Sequence, residues 1–262
     1  MKQFLIAFSL WLVSSQLQAQ QLYAEYDYMP SPMAIFKERV YFDKDTKTVV
    51  RDSVPQQKKA KEEVESDDGL GSEGFFTIDM GTTFRNVIIQ KTGQRSLLET
   101  RSLEGKNYQL TDSFPALEWN TNYTETEKVD TYTCHKATAK YRGATLVAYY
   151  TNDIPIPAGP YKFGGLPGLI VLLYNESAHP NYWMLSKVEY PCKGSIPVNF
   201  NYINSLPSIT LQKLITREEA VIEEKMRVIQ SKLPPGVEID NTTNEKVRGT
   251  VEQIYEWETA KP

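Results

Sequence analysis

Few residues in this chain have the chemistry for a reaction centre. It holds two cysteines, Cys134 and Cys192, and two histidines, His135 and His179. A tetrahedral metal site drawn from these four is disfavoured, because adjacent strand residues point to opposite faces and Cys134 and His135 cannot readily share one ion. In the oxidising compartment argued below, an isolated pair predicts a Cys134–Cys192 disulfide instead. In the chain-entropy model such a long loop is worth about 3–4 kcal/mol. Oxidation would also remove the thiol nucleophile beside His135. Carboxylates such as Glu118 and Asp153 could serve a glycosidase, but the sequence does not fix their separation. There is no Gly-x-Ser-x-Gly elbow, no His-Glu-x-x-His and no Walker-type Gly-Lys-Ser/Thr. No catalytic residue, metal ligand or cofactor is assigned.

The densest local signal is Tyr161-Lys-Phe-Gly-Gly-Leu-Pro-Gly-Leu-Ile170. Leu166-Pro167-Gly168-Leu169 reads as a type II turn with positive φ at Gly168, feeding a buried strand from Leu169 to Tyr174. Gly164, Gly165 and Gly168 could cradle an anion through backbone N–H groups. A phosphate loop needs a helix N-terminus behind it, however, and here a strand follows. The aromatic inventory around this stretch is large: Trp119, Tyr149, Tyr150, Tyr161, Phe163, Tyr174, Tyr182 and Trp183. Most of these rings belong in a core. A subset exposed on a concave sheet would form a platform for a ligand or peptide.

The elements that must position these residues are mostly strands. Leu22 to Tyr28 alternates, with Leu22, Ala24, Tyr26 and Tyr28 on one face. Further strands are expected at Ile35–Phe42, Phe75–Met80, Phe84–Gln90, Arg95–Leu103, Lys106–Thr111, Tyr132–Cys134, Lys136–Arg142, Thr145–Thr151 and Tyr182–Tyr190. The fold class is all-β: a curved, bowl-like antiparallel sheet or open barrel with one C-terminal helix. That helix is predicted over 216–232, opened by a Thr216/Glu219 capping box. Its stripe of Val221, Ile222, Met226, Val228 and Ile229 reads as core packing. Residues 51–74 carry dense mixed charge and read as an exposed insertion, and 238–262 as a polar tail that can fray.

Lys2, the apolar run Phe4–Val13 and the small residues before Ala19 form a secretory signal peptide over 1–19, leaving one domain over 20–262. No later segment is long and apolar enough to span a membrane. Loss of Lys2 takes the formal charge of -4 to -5, which argues against a nucleic-acid partner.

Tyr132-Thr-Cys-His-Lys-Ala-Thr-Ala-Lys-Tyr-Arg-Gly143, Ala148-Tyr-Tyr-Thr-Asn-Asp-Ile-Pro155 and Lys162-Phe-Gly-Gly-Leu-Pro-Gly-Leu-Ile170 together resemble the GLPGLI family of secreted bacterial proteins. Tyr149 stands where members often carry Trp. The resemblance implies an envelope protein, encoded near TonB-dependent outer-membrane transporters and without an established activity. It also implies kinship with a non-catalytic bowl-like β domain of some bacterial peptide N-glycosidases. The expected role is therefore an accessory or binding module for a glycan, a peptide or an outer-membrane protein. A hydrolase of envelope polymers and a purely structural partner of a transporter are the alternatives.

Overall fold

The structure, a computed structural model, describes residues 21–32, 34–52, 85–178, 180–232 and 248–259. The expected signal peptide, nearly all of the charged insertion, the strand expected at Phe75–Met80, His179 and the first part of the polar tail lie outside these residues.

Eleven strands are described: β1 (Leu22–Ser31), β2 (Ala34–Asp43), β3 (Thr46–Arg51), β4 (Asn86–Lys91), β5 (Ser96–Leu103), β6 (Lys106–Ser113), β7 (Thr126–Val129), β8 (Tyr132–Tyr141), β9 (Ala144–Thr151), β10 (Leu169–Asn175) and β11 (Tyr182–Glu189). They form one open antiparallel sheet in the order β6-β5-β4-β3-β2-β1-β11-β10-β9-β8-β7. The two halves of the chain are successive hairpins that run outward from a central seam, where β1 meets β11. Right-handed twist accumulates over so many strands, and wide open sheets curl. Here Asp112, on edge strand β6, reaches Arg142 at the tip of the β8–β9 hairpin, with Nη2 to Oδ1 at 2.7 Å. The β6 edge and the β8–β9 hairpin therefore face each other across a concavity without joining their backbones.

The alternation expected in β1 is present, with Leu22, Ala24, Tyr26 and Tyr28 buried. In β9 and β10 burial extends to both faces, as the continuous apolar composition demands. The connection from β9 to β10 packs Tyr161, Phe163 and Leu166 into the main core with Trp183 and Tyr26. Gly168 is required there, but not for the reason its turn signature gives. Its φ is not in the left-handed region, and Leu169 N–H donates to Ile154 O at 3.0 Å rather than closing a turn. A Cβ at Gly168 would lie 1.9 Å from Thr151 O, so the motif crosses the β9 backbone too closely for any side chain. Positive φ falls instead on Gly165, at 86°, where a Cβ would meet open space.

Three helices are described after the strands: α1 (Phe200–Ser205), α2 (Leu211–Ser231) and α3 (Glu256–Thr259). Helix α2 starts earlier than its capping-box signature predicts. Thr210 is the N-cap and accepts from Lys213 N–H, which places Thr216 inside the helix. Only its first turns have a surface to meet, where Leu211, Leu214 and Ile215 pack on Leu103 and Leu110. The predicted core stripe is wrong beyond that point, with Ile222 59% exposed and Met226, Val228 and Ile229 also exposed. Helical spacing identified the helix but could not show where the sheet beneath it ends.

The predicted disulfide is also corrected, since both cysteines are free. Cys134 lies on β8 and Cys192 just beyond β11, with β9 and β10 between them. Three strand spacings make about 14 Å, about twice the Cα separation a disulfide tolerates. Burial pushes the Cys134 thiol up to about 11.

Substituting Gly168→Ala should cost about 2–3 kcal/mol or more by overpacking against backbone, and Gly165→Ala only about 1–2 kcal/mol from left-handed strain. Urea denaturation midpoints of the two variants give the order, and a larger loss at Gly165 would contradict the close crossing.

Candidate functional site

The motif loop presents one charged side chain to the inside of the sheet. Lys162 is fully buried, and its ammonium meets three carboxylates: Asp112 Oδ2 at 2.8 Å, Glu252 Oε1 at 3.0 Å and Glu99 Oε2 at 3.1 Å. An ammonium has three N–H donors, so this arrangement saturates it. Asp112 and Glu252 are shared with Arg142, whose fork takes Asp112 with both terminal nitrogens and Glu252 Oε1 at 2.5 Å. Glu252 also accepts from the hydroxyls of Tyr141 at 2.8 Å and Tyr161 at 3.1 Å. Arg101 completes the balance, with Nη1 on Glu99 at 3.2 Å and Nη2 on Glu218 at 2.9 Å.

Burial alone would raise the carboxyls of Glu252 and Glu99. The cations override it: Lys162 and Arg142 hold Glu252 well below the usual carboxylate range, and Lys162 and Arg101 lower Glu99. Burial would likewise lower Lys162, but Glu252 and Glu99 raise it well above an ordinary lysine. These groups are ionised and locked, which suits holding a shape and does not suit proton transfer.

Backbone geometry delivers Lys162 to this point. Tyr161 has positive φ, 50°, and its N–H donates to Glu38 Oε1 at 2.5 Å. Glu38 in turn binds Arg51 at 2.6 Å. The Arg51 guanidinium lies 4.0 Å over the Tyr28 ring and 5.0 Å over Tyr161, and Tyr28 stacks on Trp183 at 4.7 Å. Arg51, Tyr28, Tyr161 and Trp183 line a cleft of about 350 Å³ that also includes Phe36, Glu99 and Arg101. Asp52 at its rim is taken by Arg39, at 2.9 and 3.0 Å.

Of the residues singled out from the sequence, Tyr161 reaches this cleft, and so does Trp183 from the wider aromatic inventory. Phe163, Leu166, Leu169 and Ile170 are core, while Pro167 is exposed. Gly164 and Gly165 border a second cleft on the other flank of the loop. The indole N–H of Trp119 donates to Gly164 O at 2.9 Å, which is a structural tie. Tyr149 is buried, donates to Glu127 Oε1 at 3.1 Å, and is raised to about 12 by burial and that carboxylate. Glu118 and Asp153 are exposed and take no part in the network. His135 lies beside Tyr150, with ring centroids 5.6 Å apart.

Sequence reasoning missed the carboxylates and Arg142. Glu252 belongs to the stretch read as a fraying tail, yet it is 2% exposed and central. The one available signal was Lys162 itself, a lone charge inside an apolar, glycine-rich run.

Residues 139–172, from the end of β8 through β9 and the motif loop into β10, match a family model described as "Protein of unknown function (Porph_ging)". That stretch covers much of the motif on which the GLPGLI resemblance rests. No curated protein matches the chain. Two solved structures of PNGF-II, in the C2 and P21 space groups, are similar to it with a TM-score of 0.47 and 13% identity. The similarity covers 78% and 79% of this chain but 33% and 34% of those chains, so the chain spans about a third of their length.

Glu252 and Glu99 are depressed from a starting value of 4.5. The stability they contribute is therefore complete above about pH 4.5 and is lost as the pH falls below it. Urea denaturation from pH 6 to pH 3 should show this acid limb. Glu252→Gln should cost about 3–5 kcal/mol at pH 6, because it leaves buried cations under-paired, and should flatten the limb. An unchanged limb in the variant would contradict the assignment.

Proposed function

We propose that this protein is an exported envelope module of the GLPGLI type that binds a short glycan or peptide segment without transforming it. The observation that carries this reading is the cleft of Tyr28, Phe36, Tyr161 and Trp183 with Arg51 and Arg101 at its wall. Aromatic faces supply contact area at low entropic cost, and the guanidinium heads supply donors to hydroxyls, carbonyls or carboxylates. The buried indole N–H of Trp183 has no acceptor among the described residues, and a seated ligand would provide one.

The state of the acids supports a non-catalytic role. Glu99 is ionised and clamped between Lys162 and Arg101, so it cannot donate a proton. Asp52 is occupied by Arg39. A glycosidase needs one carboxyl kept protonated at neutral pH, and Glu99 is held the opposite way. Export to the envelope, and work beside an outer-membrane protein, belong to the same proposal and rest on the N-terminal leader and the motif.

Envelope glycan fragments and short peptides titrated against the protein, with Trp183 emission as the reporter, test the reading. A ligand should be recovered chemically intact after prolonged incubation. Phe36→Ala, at the half-buried rim, should weaken binding by about tenfold with little loss of melting temperature. A cleaved ligand, or affinity unaffected by Phe36→Ala, would contradict it.

A further inference from the structure

On the other flank of the motif loop, Lys47 is a buried amine without a carboxylate partner among the described residues. It lies on β3 between Phe42 of β2 and Gln90 of β4, and it is 5% exposed. Its Nζ donates to Phe163 O at 2.5 Å and Gly159 O at 3.4 Å, both backbone carbonyls of the motif region. No carboxylate pairs with it among the described residues. It lines a cleft of about 310 Å³ whose other charged walls are Arg95 and Lys162. Lys162 is neutralised by its three carboxylates, whereas Arg95 is exposed and has no ionic partner among the described residues. The cleft thus carries two basic groups without an ionic partner, Lys47 and Arg95, and no acid.

We propose that this cleft binds a single sugar residue bearing a carboxylate, seated with the carboxylate on Lys47 and Arg95. Counting donors supports the arrangement. A neutral amine has two N–H groups, and the two carbonyls take both; protonation adds a third, and that one is left for the ligand. Burial lowers Lys47 to about 7, with Glu38 the one opposing charge. Glu38 is itself held by Arg51 and the Tyr161 N–H, so it cannot move to serve as the counter-ion. The groups facing Lys47 are then Glu38 from β2, Lys162 from the motif loop and Arg95 from the β4–β5 connection. An arriving carboxylate supplies the missing negative charge and favours the ammonium form, so binding takes up a proton. Phe42, Phe114, Leu117 and Pro157 offer apolar surface to a pyranose ring, while Gln90 and Gln94 supply amides for its hydroxyls. The aromatic cleft of the proposed function lies on different residues, so the two sites can fail separately.

Isothermal titration of the purified protein with D-glucuronate, D-glucose and N-acetylalanine is the test. Glucuronate should bind, glucose should not, and the glucuronate Kd should rise about 30-fold from pH 6 to pH 8.5, as the competent protonated fraction falls. Arg95→Ala, on the exposed rim, should weaken glucuronate about fivefold without affecting the fold. Lys47→Met should abolish binding, with circular dichroism as the check that it folds. No glucuronate binding, or binding with a flat pH profile in the wild-type protein, would overturn the proposal. Tighter binding of N-acetylalanine than of glucuronate would overturn the sugar assignment.

Discussion

A single ammonium group, on Lys162, draws the motif loop, the β5–β6 hairpin and the segment before α3 to one point. Its three carboxylates come from β5, from β6 and from the segment before α3, and the lysine itself comes from the loop between β9 and β10. Removing any one partner leaves a buried charge unsatisfied, so the members stand or fall together. Arg142 repeats the arrangement one residue beyond β8, and Glu252 is common to both cations. An open sheet of this width has no backbone bonds to hold its β6 edge at a fixed separation from the β8–β9 hairpin. The ion network supplies that constraint from inside the concavity.

The motif loop gains its position from the same centre. Tyr161 takes a left-handed backbone, Lys162 anchors at depth, and Phe163 fills the core against Tyr141 and Trp183. Past that anchor the chain crosses β9 with only a glycine's clearance at Gly168. The loop divides the concave side into two clefts of different character. One is walled by stacked aromatics with guanidinium heads, and the other holds two buried lysines and an exposed arginine without acids. Binding chemistry on both sides follows from where the loop lies, because Tyr161 and Lys162, adjacent in sequence, line different clefts.

Strand periodicity made much of this fold legible. The alternation of β1, the hairpin at Glu104-Gly105 and the apolar run of β10 are local patterns, and the structure keeps them. What escaped depends on distant partners. Strand β3 is short and carries a lysine and an arginine, Lys47 and Arg51, and it is specified by pairing with β2 and β4 more than by its own composition. Glu252 looks like any polar tail residue until Lys162 and Arg142 surround it. The apolar stripe of α2 has the right spacing and no receiving surface, and Cys134 and Cys192 are an isolated pair that the sheet order sets far apart. Both errors came from reading side chains without the sheet order that decides what they face.

Native-state hydrogen exchange gives the most direct test of the claim that the Lys162 centre holds the motif loop. The amides of Phe163, Gly165, Leu169 and Ile170 donate to carbonyls within the loop region. If the network locks that region to the sheet, these four amides exchange only through global unfolding, with the same denaturant dependence as the central strands β1 and β11. Exchange of the loop amides through a local opening, while β1 and β11 stay protected, would contradict it.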